Sequence, residues 1–368
     1  MSENLLFIKR WITKSSNTNY SQHPTVLQVE LSSFCNALCL GCHRTNTSNF
    51  NTVRSTIPKN KLVSLETFSS LLNSKLMNSL EEIEFCGTID EPTLHPNFLE
   101  ILELIRKKKD YKISIHTNGS TRDVDYWNKL ASICTKFDDC LVLFNIDGLG
   151  DTNNIYRQNT KFIKIINNAQ SFIQNGGVAQ WQFIKFPWNL HQIAEASKLS
   201  KELGFVNFVL REDGSSVTQE GLSSVIKKKK RNSSQVPIDV NVGYENLQEQ
   251  DIECVSRLRN MYFLSCESKL WPCCFIPNGL YLKNNQPEPV KILEKRLYDN
   301  YDKNFNDLTV HTADEVAQHI FYREQLLNSF KSKVVGTSCT DKITRCADTC
   351  SKIKLKQIPI GKIEEYVE

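Results

Sequence analysis

The chain has 368 residues, enough to bury a large core and to form one large domain plus a smaller one. Its 40% hydrophobic and 23% charged residues are ordinary for a globular protein, and a net charge of +4 is too small to argue for nucleic acid. No stretch approaches the apolar length of a membrane span, and residues 1–10 carry an acid and too short an apolar run for a secretory signal, so a cytoplasmic location is expected. Thirteen cysteines is a high count, and clustered thiols in that compartment serve metals or redox chemistry more often than disulfides.

Residues 1–24 read as an N-terminal extension. Six strand-like runs follow, at 25–31, 82–86, 111–116, 140–146, 179–184 and 206–210. Helix-like segments lie between them at 65–79, 97–108, 123–135, 162–174 and 190–203. Ser64 is placed to cap the first of these, and Gly204 to stop the last. Strands alternating with helices predict βαβ units and a parallel sheet over 25–212, as an open sheet or a partial barrel. Residues 213–250 are polar and hold the basic run at 227–231, which reads as a solvated linker or loop. A second region, 251–368, contains seven of the cysteines.

In parallel α/β folds ligands bind at the C-terminal ends of the strands. Those ends carry polar residues and glycines here. Cys35, Cys39 and Cys42 follow the first run, and Gly87, Asp90 and Glu91 the second. Asn118 and Gly119 follow the third, and Asn145, Asp147 and Gly148 close the fourth. Lys185 ends the fifth and Arg211 the sixth. Three thiolates at C-x3-C-x2-C spacing suit iron–sulfur or zinc ligation. His43 is adjacent to Cys42 and poorly placed as a fourth ligand, so the motif favours a [4Fe–4S] cluster with one iron open to a small ligand.

A C-x3-C-x2-C motif directly behind the first strand of a βα series resembles the signature of the radical S-adenosylmethionine (SAM) enzymes. The segment Phe85-Cys-Gly87-Thr-Ile-Asp90-Glu91-Pro92 is similar to the family's Gly-Gly-Glu-Pro segment. Further segments match the Twitch-domain branch, including Asn145-Ile-Asp147-Gly148, Asp151 to Arg157, Asn175 to Phe183 and Asn189-Leu-His191-Gln192. The resemblance covers roughly residues 25–212. It implies a partial (β/α)6 TIM-like barrel in which Cys35, Cys39 and Cys42 hold three irons and SAM chelates the fourth. An electron from the cluster would cleave SAM to a 5′-deoxyadenosyl radical that abstracts hydrogen from a substrate. A reductant such as flavodoxin or ferredoxin is implied. The chain departs from the pattern at Gly41, where an aromatic residue is common, and at Asp90, where glycine is usual.

The same resemblance gives expectations for single residues. Gly87 and Glu91 would meet the methionine end of SAM. Asn118 would touch SAM or make a turn, and Asn145 would reach the ribose. Arg157 would pair with the SAM carboxylate or with a barrel acid, and Asp147 would cap the following helix. Lys185 and Arg211 would meet an anionic substrate or form structural ion pairs. Cys86, Cys134 and Cys140 sit in apolar runs and read as core residues.

The segment Leu264 to Cys274 resembles the Gly-x4-Cys hairpin of SPASM and Twitch extensions, with Ser268 in the glycine position. The resemblance implies a small C-terminal Twitch-type domain with a second, auxiliary [4Fe–4S] cluster on Cys254, Cys273, Cys346 and Cys350. Cys266, Cys274 and Cys339 are alternative ligands, and zinc is the alternative metal. A peptide or protein is the expected substrate, with oxidation of a sugar or aminoglycoside-type alcohol as the alternative. A non-catalytic iron–sulfur protein that transfers electrons or binds a partner is the reading from another class.

Overall fold

The computed structural model describes residues 23–46, 49–86, 88–212, 252, 254–281, 287–334, 337–339, 341, 343, 346, 350 and 364–365. Residues 1–22 of the expected N-terminal extension, Gly87, and the expected linker with its basic run at 227–231 lie outside them. The chain divides into two compact units. One is built from Met1–Leu31, Asn60–Glu84 and Gly243–Gln357, the other from Ser32–Lys59, Phe85–Val242 and Ile358–Glu368.

The main elements, in chain order, are β1 (Val26–Val29), α1 (Leu65–Asn73), β2 (Glu82–Phe85) and α2 (Phe98–Lys108). Then come β3 (Lys112–Thr117), α3 (Val124–Cys134), β4 (Cys140–Asn145), α4 (Phe162–Gln174) and β5 (Val178–Lys185). They are followed by α5 (Ile193–Leu203), β6 (Asn207–Glu212), β7 (Met261–Leu264), β8 (Leu270–Trp271) and β9 (Glu364–Glu365). Each strand-like run of the sequence has its strand, shifted by no more than two residues at either end. The first expected helix is shorter: α1 stops at Asn73 and a 3-10 turn, Lys75–Ser79, completes the span. The Ser64 hydroxyl accepts from Thr67 N at 3.0 Å, and Gly204 ends α5 at φ +86°, a left-handed conformation that glycine takes without penalty.

In the second unit β3, β4, β5 and β6 lie side by side and parallel, joined through α3, α4 and α5. Ile115 stands opposite Val142, Val142 opposite Ala179, and Trp181 opposite Phe208. β9 adds to β6 antiparallel. Burial of large apolar side chains holds the layers together. Trp127 of α3 and Phe172 of α4 pack on Phe144 of β4, with the Trp127 and Phe144 rings 5.1 Å apart. Each of these rings is fully buried, a contribution of roughly 2–3 kcal/mol apiece. Gly119 sits under this layer at φ +67°, where an added Cβ would lie 2.8 Å from the Phe144 ring. Cys134 and Cys140 lie in the same core, as their apolar settings predict, and their thiols hydrogen-bond to each other. That bond and burial push the Cys140 thiol well up.

In the first unit β7 runs parallel to β1, with β8 antiparallel to β7 and β2 on the other side of β1. Arg259 forms an ion pair with Glu84, which also accepts from Gln28 Nε2 at 2.8 Å. The Asp314 carboxylate takes the Lys75 and Leu76 N–H groups at 3.1 and 2.6 Å, so it caps the 3-10 turn from a distant part of the chain. The β7–β8 hairpin turns through Ser265 to Lys269. Ser268 there adopts φ +60°, the conformation for which the resembling motif uses glycine.

A serine in the left-handed region costs roughly 1–2 kcal/mol, more than the roughly 0.5–1 kcal/mol by which glycine loosens the unfolded chain. Ser268→Gly is therefore expected to raise stability by about 0.5–1 kcal/mol, read as a higher urea midpoint at unchanged slope.

Candidate functional site

Cys35, Cys39 and Cys42 lie on a loop of the second unit, and each meets a different neighbouring segment. Asn118, just past β3, donates through Nδ2 to Asn36 Oδ1 at 2.9 Å and reaches Cys35 Sγ at 3.9 Å. Leu38 and Cys39 pair antiparallel with Gln158 and Arg157, and Arg157 Nη1 reaches Cys39 Sγ at 3.9 Å. Cys42 Sγ lies 3.9 Å from the Thr88 carbonyl, past β2, and accepts from Arg44 N at 3.4 Å. The Cys42 N–H closes a turn on the Cys39 carbonyl at 3.1 Å.

Glu91 ties these segments together. Its N–H donates to the Phe34 carbonyl, one residue before Cys35, at 2.7 Å. Its Oε1 accepts from the Thr117 hydroxyl at 2.7 Å and from the Thr93 hydroxyl and N–H at 2.8 and 3.4 Å. Its Oε2 accepts from Asn118 N at 2.7 Å. Each carboxylate oxygen has two lone pairs, so Oε1 is fully used and Oε2 keeps one acceptor position. Burial pushes the Glu91 pKa up, and the donors pull against that. The neighbouring Asp90 carboxylate accepts from Ser32 N at 3.2 Å, which fixes the start of the cysteine loop.

Arg157 and Asp147 form a buried ion pair, Nε to Oδ2 at 2.7 Å, with Asp147 fully buried. Of the two partners expected for Arg157, the structure has the barrel acid. Asp147 is not the cap of the following helix; its Oδ1 takes the Ile184 N–H at 2.7 Å, because a buried charge at this strand end needs the arginine and the amide. Burial works against the Arg157 charge, but Asp147 and Cys39 outweigh it and push the pKa up. Asn145 donates to the Thr117 and Leu143 carbonyls at 3.1 and 3.4 Å. Lys185 pairs with Glu212, bridging the ends of β5 and β6.

The thiols act on one another. Burial, Glu91 and the other two cysteines push Cys35 well up. Cys39 is pushed up to about 12 by burial, with the nearby Arg157 charge pulling it down. Three half-buried sulfurs whose charges repel suit soft, positively charged metal centres, and iron of an iron–sulfur cluster meets that need.

No protein-family model matches the sequence, and no curated protein matches it. Solved structures do. Streptococcus suis SuiB bound to the precursor peptide SuiA aligns over 98% of this chain and 77% of its own, at 13% identity and a TM-score of 0.54. SuiB bound to S-adenosylmethionine aligns over 94% and 76%, at 13% identity and a TM-score of 0.53. The fold is that of the radical SAM enzymes. In a further SuiB structure the aligned part spans 69% of this chain and 61% of SuiB, with 14% identity and a TM-score of 0.46. Among the described residues no helix is long and apolar enough to cross a membrane.

On this radical SAM fold a second thiol group lies in the other unit. Burial pushes Cys254 up, and Cys273 and Cys350 push further in the same direction. Burial, then Cys273, Cys350 and Cys254, push Cys346 well up, while Arg296 pulls it down. These four thiols therefore stand within electrostatic reach of one another. Of the alternative ligands, Cys266 is buried, and Cys274 and Cys339 are half-buried. Arg296 is buried and donates to the carbonyls of Ser338 and Cys339, which anchors the segment leading to Cys346. Among the described residues no group of three or more His, Cys, Asp or Glu side chains is arranged to hold a single metal ion. All thirteen cysteines carry free thiols.

Asn36, Thr88 and Asn189 have no roles of their own in the sequence, although Thr88 and Asn189 lie within segments that resemble the family. Asn189, fully buried, donates to the Asp147 and Ile184 carbonyls, both at 2.9 Å, and locks the ends of β4 and β5 together. Removing one member of a buried ion pair leaves the other uncompensated and costs roughly 3–5 kcal/mol. Asp147→Ala is expected to lose stability on that scale in chemical denaturation, and Asp147→Ala with Arg157→Met to recover most of it.

Proposed function

We propose that this chain is a radical SAM enzyme with two iron–sulfur clusters. Cys35, Cys39 and Cys42 hold the SAM-binding [4Fe–4S] cluster, and Cys254, Cys273, Cys346 and Cys350 hold an auxiliary one. The observation that carries the reading is the set of three half-buried thiols, each met by a different segment at the strand ends. When bound, the reduced cluster and SAM supply a 5′-deoxyadenosyl radical that takes a hydrogen atom from the substrate.

The chain's own residues do the positioning. Glu91 spends its acceptors on Thr93, Thr117 and Asn118 and so sets the loop that carries Asn118 against Cys35. Arg157, held by Asp147, keeps a positive charge beside Cys39 and favours its thiolate. Asn118, Asn145, Arg157 and Glu91 form the proposed SAM-side wall, and Gly87 is assigned to it from the sequence motif alone. Four thiols without an open position suit electron transfer rather than substrate binding at the auxiliary cluster. A reductant such as flavodoxin or ferredoxin would supply electrons, and a reducing cytoplasm suits thirteen free thiols. The substrate class we propose is a peptide, supported by the likeness to SuiB in its peptide-bound form.

The test is anaerobic reconstitution followed by dithionite and SAM. The expected product is 5′-deoxyadenosine, and its absence from iron-replete protein would sink the proposal. The triple variant Cys35→Ala, Cys39→Ala, Cys42→Ala should make none and should keep about four irons, as one remaining [4Fe–4S] cluster requires.

A further inference from the structure

Arg54 is 4% exposed, and its Nε and Nη1 are buried with no hydrogen-bond partner among the described residues. A guanidinium carries five donors and a permanent charge, and burying donors without partners is unfavourable. The neighbouring Arg44 shows the ordinary solution: its guanidinium donates to the carbonyls of Ser33 and Ile89. Among the described residues Arg54 has no such carbonyls. The charge-bearing group that acts on it is Cys42.

The backbone holds it there. Thr45 N donates to the Cys42 carbonyl at 3.0 Å, and the chain runs out and returns so that Thr45 pairs antiparallel with Val53. Arg54 N then donates to the Arg44 carbonyl at 2.9 Å, and Ile57 N closes a turn on the Arg54 carbonyl at 3.2 Å. The backbone of Arg54, twelve residues on from Cys42, is thus brought back beside the turn that carries the third cysteine.

We propose that Arg54 is the charge partner of the SAM-binding cluster at its Cys42 corner and sets the cluster's reduction potential. The inference rests on the cluster assignment made above. A cluster held by three thiolates is negatively charged, and reduction adds one electron more. A buried cation beside one thiolate stabilises the reduced form more than the oxidised form, so it raises the potential. Arg54 then has its counter-charge, and its unanswered donors have a sulfur to face. Cys39 has a cation too, but that one is shared with Asp147, whereas Arg54 has no competing carboxylate among the described residues. Arg54 is a positioning and tuning residue; it is not assigned contact with substrate.

The test uses the reconstituted full-length protein as wild type, Arg54→Gln and Arg54→Lys. Each is titrated with reductant under anaerobic conditions without SAM or substrate and followed by electron paramagnetic resonance. The cluster in question is the one whose signal changes when SAM is added to a parallel sample. The expected result is a lower midpoint for Arg54→Gln, seen as a smaller reduced fraction at any given poise, and a midpoint near wild type for Arg54→Lys. A wild-type midpoint in iron-replete Arg54→Gln overturns the inference, including the case where only SAM binding weakens. If Arg54→Gln takes up less iron, recovery of iron in Arg54→Lys supports the charge role and failure to recover overturns it. A wild-type protein that binds no SAM-responsive cluster would instead overturn the assignment on which the inference rests.

Discussion

A carboxylate taken out of water must have its oxygens filled by donors, and Glu91 is where this chain meets that demand. Its donors come from the segment after β2 and from the end of β3, and its own N–H reaches back to the cysteine loop. Three stretches of chain distant in sequence are therefore positioned by one side chain and its backbone. Asn118 then sets Cys35, and the short ladder at Cys39 and Arg157 sets the second thiol. The thiols owe their places to hydrogen bonds that the chain makes with itself.

The two thiol groups differ in what surrounds them. The first has three sulfurs with an amide, a guanidinium pinned by a carboxylate, and the buried Arg54 close by. The second has four sulfurs, and its cation, Arg296, is largely engaged with backbone carbonyls. Under the proposed reading, a three-sulfur group with charged neighbours leaves room for chemistry. A four-sulfur group is closed and suits the passage of an electron.

Much of this was legible in the sequence because it is local. The alternation of β1 to β6 with helices follows from short-range apolar periodicity, and the spacing of Cys35, Cys39 and Cys42 can be read within one loop. The left-handed turn at Ser268 was legible too, since the hairpin motif has glycine there. What was not legible depends on side chains meeting across the fold. Arg157 had two equally reasonable partners, and only the packing of β4 against β5 brings Asp147 to it. Asp147 was read as a helix cap because Asp before a helix usually is one, but burial gave it a stronger obligation. Nothing in the residues around Arg54 separates it from a solvated arginine; the bridge between Thr45 and Val53 that turns it inward is a tertiary fact.

The thiol pair Cys134 and Cys140 has a consequence for metal loading. A protein that offers thirteen thiols to iron must keep some of them from competing. The thiolate is what binds metal and reacts with oxidants, and Cys134 and Cys140 are buried among the apolar side chains of the sheet core, away from the loops that carry the proposed ligands. The core that packs under β4 thus works as a filter. It withholds two sulfurs from the pool of available ligands and leaves incoming iron to the thiols that the loops hold ready.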